Sequence, residues 1–344
     1  VIYLGTDNGG TAGRNFFNAG LRGGKASPYQ GGTRAPCFVR WPAGGVPSGV
    51  ECDALTAHVD LFPTLAELAG ATLTPAVEKQ LDGRSLGPLL KNADAKWPAR
   101  TLVHHVGRWP RGEAAKSKYT NYSIQSAAFT LVNNKELYDL KNDPGETNNV
   151  IDEHPKVVAE LCAAYETWWD EVQPYFVNED PTGFNHFTFR ELYEKQFGKA
   201  ATMAAIQRGK ELKAARAKKK PSDANVPDQQ RLQKLREERR KRREGKNPTS
   251  GDPKGTKPNF VVFLADDMGW GDSATYGHKL IKTPNLDKLA SQGVKLTQCY
   301  SACGVCSPSR SGILTGRHPY RNGVWRHLSG NHPAHLRLSE ITYP

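Results

Sequence analysis

Two short stretches place paired oxygen-bearing side chains at the ends of apolar runs. In VIYLGTDNGG, residues 1–10, the run at 1–4 passes into Thr6, Asp7, Asn8 and two glycines; in NFVVFLADDMGWGD, residues 259–272, the run at 260–264 passes into Asp266 and Asp267. Apolar runs of this length read as strands, and polar residues followed by glycine read as turns at their carboxyl ends. Ligand sites of open α/β sheets gather there. Taken singly, either pair is more often a turn or a helix cap than a site. If both strands lie in one sheet, however, three carboxylates and an amide oxygen converge, a donor set suited to Ca²⁺ or Mg²⁺ rather than zinc.

The most specific motif is CGVCSPSRSGILTGRHPYRNGV, residues 303–324, where Cys306, Pro308, Ser309 and Arg310 stand in the order C-x-P-S-R and are followed by Leu314, Thr315, Gly316 and Arg317. A helix starting near Pro308 places Cys306 at a positive helix end, favourable for an anion. The motif resembles the signature of the Cys-type, formylglycine-dependent sulfatases (arylsulfatases) of the alkaline phosphatase superfamily, in which that cysteine is converted to formylglycine. LADDMGWGD is similar to the family's N-terminal metal motif, which makes Asp266 and Asp267 ligands, and GTDNGG is similar to its late metal motif, which gives Asp7 and Asn8 the same role. LRGGKASPYQGGTRAP is similar to the segment downstream, where Lys25 contacts sulfate, while DGRSLGPLL and ELYDLKNDPGETNNV are similar to C-terminal stretches.

The resemblance implies a sulfuric ester hydrolase acting on an aryl or carbohydrate sulfate, with Cys306 and Arg310 catalytic and Lys25 binding substrate. Ca²⁺, or Mg²⁺ in its place, is held by Asp266, Asp267, Asp7, Asn8 and the residue derived from Cys306. A hydroxyl of the hydrated aldehyde attacks sulfur and expels the alcohol, and the second hydroxyl then collapses to release sulfate. Cation, Lys25 and Arg310 neutralise the transferring group. The resemblance further implies a formylglycine-generating enzyme as maturation partner, a sulfated small molecule or glycan as substrate, and a periplasmic or extracellular location.

The elements that must position these residues read as α/β. TAHVDLFPTLAELAG, residues 56–70, has helical spacing at Val59, Phe62, Leu65 and Leu68 with Gly70 as a stop; HPKVVAELCAAYETWWDEV, residues 154–172, is an amphipathic helix; KELYDL is a short strand before a turn at Asp143, Pro144 and Gly145. In TPNLDKLASQG, Thr283 is the expected cap, Pro284 the first helical residue and Gly293 the stop. The resemblance implies an alkaline-phosphatase-like mixed sheet flanked by helices, with a smaller C-terminal α+β subdomain, incomplete or permuted. His104 and His105 are candidates for a substrate pocket, with an ordinary structural role the better reading.

The formal charge of +12 is concentrated: residues 208–246 hold 16 Lys and Arg against 6 Asp and Glu, leaving +2 for the rest of the chain. That describes near-neutral globular parts joined by a basic segment rather than a nucleic-acid-binding surface. The expected organisation is a C-terminal half of a sulfatase-like domain at 1–180, a basic helical and flexible linker at 181–256, and an N-terminal part at 257–344. The rival role for the linker is to grip a polyanion. No run approaches the roughly 20 apolar residues of a membrane span, and no signal peptide is visible at residue 1. Six cysteines are too few for a disulfide-built scaffold. The spacing of Cys299, Cys303 and Cys306 also fits an iron–sulfur site, but too little sequence follows for the barrel that such a site accompanies.

Against the family, the halves stand in inverted order, and the central Gly-Lys-x-His motif, with the general acid it carries, has no counterpart. The arrangement reads as a window on a tandem protein, catalytically incomplete, or as a circular permutant with its middle lost; the missing Met and the ITYP ending favour the window.

Overall fold

A computed structural model describes residues 1–110, 112–178, 194–218, 258–328, 336–337 and 339–342. Two compact units divide the chain, one comprising Val1–Gly183 with Thr256–Pro344 and the other Phe184–Gly255.

The first unit is built on a five-stranded mixed sheet to which both ends of the sequence contribute. Its strands are β1 (Ile2–Thr6), β2 (Cys37–Arg40), β3 (Val50–Cys52), β9 (Val261–Ala265) and β10 (Val294–Leu296), in the order β3-β10-β2-β1-β9. β1 runs parallel to β9 with Ile2 opposite Val261 and Thr6 opposite Ala265, and antiparallel to β2. Alternation along the strands supplies two apolar faces. Tyr3, Val39 and Val294 point into one cluster with Leu61 and Leu65 of helix α2 (Leu61–Leu68), while Leu4 and Phe38 point into another with Ala290 of helix α5 (Pro284–Ser291). β9 is an edge strand: Val262 and Leu264 pack on the first cluster, whereas Val261 and Phe263 are exposed.

A second, antiparallel sheet follows: β5 (Leu102–His105), β6 (Tyr122–Gln125), β7 (Phe129–Val132) and β8 (Glu136–Asp139), in sequential order. Helix α3 (Pro155–Val172) covers it, burying Leu161, Tyr165, Trp169 and Val172; the first three pack on Val103, Tyr122, Ile124, Leu131 and Leu137. Between the sheets, β4 (Thr56–Ala57) pairs in parallel with β11 (Cys299–Tyr300), so Thr56 opens its segment as strand rather than helix.

Two terminal signals act otherwise than expected. The Thr283 hydroxyl caps no helical amide; it donates to Asp287 (3.0 Å) and accepts from the Ala274 amide (2.9 Å), joining the preceding loop to α5. Gly293 is needed for closeness rather than for a left-handed turn, since a Cβ there would collide with the Val39 carbonyl. The second unit is represented by helix α4 (Lys199–Lys218), rich in Ala, Lys and Arg and mainly exposed over residues 199–208. The rest of the expected basic linker lies outside the described residues.

A buried polar chain links the two sheets. Gln30 donates from its amide nitrogen to Gln125 (3.0 Å), accepts from the Tyr300 hydroxyl (2.8 Å), and donates from its backbone to Glu146 (2.8 Å). Burial pushes the Glu146 carboxyl up to about 8, outweighing the Gln30 hydrogen bond. The folded protein therefore keeps a proton on Glu146 over a range where the unfolded chain has lost it. Its contribution is present below the ordinary glutamate pKa and is lost as pH rises towards 8. Glu146→Gln should leave stability near pH 4 almost unchanged and raise it at pH 8 by on the order of 2 kcal/mol, measured by urea unfolding at both pH values.

Candidate active site

The in-register pairing of β1 with β9 delivers Asp7 and Asn8 beside Asp266 and Asp267 at the carboxyl ends of adjacent parallel strands. One carboxylate oxygen from each of Asp7, Asp266 and Asp267 lies within 4.8 Å of the others, forming the one acidic, His or Cys group with this convergence among the described residues. Asp7 and Asn8 are fully buried. The Asp267 backbone sits in the left-handed region at φ 58° and its amide donates to Asp7 Oδ1 (3.0 Å). Such a conformation is uncommon for a residue with a side chain and is held by its surroundings. Gly9 permits the close approach of the segment carrying Lys25, because a Cβ at that position would collide with the Gly31 carbonyl.

Two cations hold the carboxylates. Lys25 Nζ donates to both oxygens of Asp267 (2.5 and 2.7 Å), and Asn8 Nδ2 donates to Asp267 Oδ1 (2.8 Å). Partial burial works against the Asp267 charge, but these hydrogen bonds and the charges of Lys25 and Arg310 prevail and hold its carboxyl below the usual range. Arg310 donates through Nε and Nη2 to Asp7 Oδ2 (2.9 and 2.7 Å) and through Nη2 to Asp266 Oδ1 (2.8 Å). One buried acceptor, Asn8 Oδ1, has no hydrogen-bond partner. Leaving a buried amide oxygen unpaired is costly; Asn8 adjoins the carboxylates through Nδ2 on Asp267, and its unpaired oxygen adds a hard donor to the set. The residues therefore fit a divalent cation with oxygen preference.

Arg310 belongs to helix α6 (Cys306–Thr315), which begins at Cys306 itself, two residues earlier than the proline suggested. Cys306 and Arg310 are four residues apart and share a helix face. Cys306 is partly exposed and within electrostatic range of Lys25. Of its sequence neighbours, Cys303 packs close by, in the cluster with Val106 and Val305 against which Cys306 rests, its thiol donating to the His105 carbonyl (3.2 Å), whereas Cys299 packs in the main core beside Cys37. The geometry takes Cys299 away from the other two, which an iron–sulfur reading would bring together with it.

The two histidines part company. His105 is enclosed by Trp109, Tyr122, Trp169 and Tyr320, its Nδ1 2.8 Å from the Tyr320 hydroxyl, and burial pushes its pKa down to about 4. That is a structural role. His104 lines a cavity of about 180 Å³ with Asp82, Arg84, Arg100, Trp168 and His318, and burial pushes it down to about 3. Residues that motif reading did not single out also bear on the site. His327 is depressed by burial and by the charges of Arg326, Arg108 and Lys25, so it lies within electrostatic range of Lys25. His58 reaches α6 from the other block of the sequence (Nδ1 to Ser309 Oγ, 2.9 Å), a contact with no local signal.

Comparison with known proteins covers both blocks. Residues 258–341 match the Sulfatase family, and residues 24–168 match N-sulphoglucosamine sulphohydrolase, C-terminal. Human arylsulfatase G is 47% identical over 93 residues, 27% of this chain and 18% of that protein. Mouse steryl-sulfatase is 48% identical over 81 residues, 24% of this chain and 13% of that protein. A solved structure titled "Crystal structure of Ps i-CgsB" aligns with a TM-score of 0.41 at 23% identity, over 58% of this chain and 42% of that one. The chain spans under a fifth of the length of these two curated relatives. The two family matches fall on the same blocks that supply the acidic cluster and the C-x-P-S-R helix, so both blocks are similar to sulfatases.

Proposed function

We propose that this protein hydrolyses sulfate esters, with Cys306, as formylglycine, supplying the nucleophile. The observation that carries the reading is the meeting of Lys25, Arg310 and the amino end of α6 with three carboxylates and an unpaired amide oxygen. Asp7, Asp266, Asp267 and Asn8 would hold the divalent cation, Ca²⁺ or Mg²⁺, joined by the residue derived from Cys306. When bound, the cation polarises sulfate oxygens and favours an ionised nucleophile.

The chain's own residues orient and neutralise. Arg310, fixed on Asp7 and Asp266, presents its guanidinium on the same face as residue 306, and Lys25, fixed on Asp267, offers an ammonium. The first turn of α6 adds its positive end. Charge argues for the substrate class. Three carboxylates against Lys25 and Arg310 leave one net negative charge, which a divalent ion turns into one positive, the complement of a monoanionic sulfate ester. An aryl or carbohydrate sulfate meets this requirement, and the charges of Arg108 and Arg326 near His327 favour further negative charge on it. The likeness to sulfatases supports, as part of this reading, maturation by a formylglycine-generating enzyme and a periplasmic or extracellular setting. Among the described residues no helix is long and apolar enough to cross a membrane.

The organisation proposed is of two sulfatase-like parts, 1–180 and 257–344, joined through the basic segment 181–256.

Two measurements check the reading. Saturating Ca²⁺ should raise the melting temperature of the chain, at about 2.7 kcal/mol of added stability for a hundredfold excess over the dissociation constant, and a chelator should reverse it. Asp266→Asn, at a side chain 76% exposed, should keep the fold and lose most of that shift. Co-expression with a formylglycine-generating enzyme should convert Cys306, seen by peptide mass, and give turnover of a chromogenic aryl sulfate that Cys306→Ala lacks. Conversion without turnover would overturn the activity for this chain.

A further inference from the structure

The turn His58–Asp60 underlies helix α6, and Asp60 makes it stiff. Its Oδ2 accepts from the Ala57 amide (2.7 Å), its Oδ1 from the Arg84 amide (2.9 Å), and both oxygens from Arg100 Nη1 (2.8 and 3.0 Å). From this platform the imidazole of His58, 1% exposed, meets the hydroxyl of Ser309, 0% exposed, at 2.9 Å. Burial pushes His58 down to about 3, so the ring is neutral; Nδ1 meets Ser309, and the buried Nε2 has no hydrogen-bond partner among the described residues. The contact joins residues 251 positions apart.

Its place on the helix matters. Ser309 precedes Arg310 and stands one turn from Cys306, so the clamped face adjoins the face that carries the chemistry. Gly312, next on the clamped side, lets the helix settle: a Cβ there would lie 2.8 Å from Ala302 Cβ and 3.5 Å from Val59 Cγ1. Packing limits the approach of the two elements, and Ser311 also holds the helix to Asn322 (3.2 Å). A directional hydrogen bond on one side stops the roll. A roll of about 20° would swing a guanidinium carried some 6 Å from the helix axis by roughly 2 Å, enough to break the contacts of Arg310 with Asp7 and Asp266.

We infer that His58 is a positioning residue, which through Ser309 sets the roll of α6 and thereby the placement of Cys306 and Arg310 against the acidic cluster. The inference rests on the reading of α6 as the catalytic helix. It assigns no proton transfer to His58.

The test uses the full 344-residue chain with four variants: His58→Asn, which keeps a nitrogen where Nδ1 stands, His58→Leu, Ser309→Ala and His58→Leu/Ser309→Ala. Amide hydrogen exchange over residues 305–311 should quicken at least tenfold in His58→Leu and in Ser309→Ala, while exchange in α3 stays unchanged. His58→Asn should remain within threefold of the parent, and the double variant should exchange no faster than the faster single one. In the same proteins, calorimetric titration with Ca²⁺ should give a dissociation constant altered at least threefold in the two single disruptive variants and restored in His58→Asn. Acceleration spread evenly over the chain, additive effects in the double variant, or an unaltered Ca²⁺ affinity beside faster local exchange would each overturn the inference. Should His58→Leu not fold, Ser309→Ala, which removes a single oxygen, carries both readouts. A parent protein that binds no Ca²⁺ would instead overturn the cation reading, and the exchange data would still decide the clamp.

Discussion

Everything at the site depends on the register between β1 and β9. Thr6 lies opposite Ala265, and the next residues on each strand are the acidic ones. A slip of one residue would turn the apolar side chains to the wrong faces of the sheet, and a slip of two would part the acidic pairs by about 7 Å. The apolar alternation that specifies the fold thus also specifies the site. Because Val262 and Leu264 must reach the cluster that Tyr3 and Val39 fill, Asp266 and Asp267 have no other place to go.

Bringing three carboxylates within 4.8 Å of one another is unfavourable in itself. The chain offsets the repulsion with fixed cations and with donors rather than by pushing the charges apart. Lys25 takes both oxygens of Asp267, Arg310 bridges Asp7 and Asp266, and the backbone amide of Asp267 turns back to Asp7. These partners come from opposite ends of the sequence, so the contacts that hold the cluster also span the two blocks that the strand pairing joins. The left-handed conformation at Asp267 is sustained by this same set of contacts.

Much of this was legible in residue types and spacing. The runs before Asp7 and Asp266, the helix at 155–172 and the C-x-P-S-R segment each carry a local signal, and the chemistry of the donor set follows from residue identity. What was not legible is what depends on distant partners. The Thr283 hydroxyl has the look of a cap but is taken by Asp287 and Ala274. Gly293 has the look of a stop but answers to the carbonyl of Val39. Cys299, Cys303 and Cys306 have a cluster's spacing, yet a short strand carries Cys299 into the main core while Cys303 and Cys306 stay together near the start of α6. HVDLFP reads as a core helix, and its leading histidine carries no hint of Ser309, because the contact spans 251 residues.

The buried ion pair of Asp60 with Arg100 shows why the chain keeps charge where an apolar pair would pack. Such pairs add little net stability, since desolvation consumes most of the attraction. Asp60, however, also accepts from two backbone amides, so its geometry is transferred to the main chain on both sides of the turn. An apolar residue at that position could fill the volume but could not fix the peptide planes. The helix resting on the turn carries Cys306 and Arg310, whose usefulness depends on placement within a few tenths of an ångström. Directional bonds buried under α6, rather than additional apolar area, are what such placement requires.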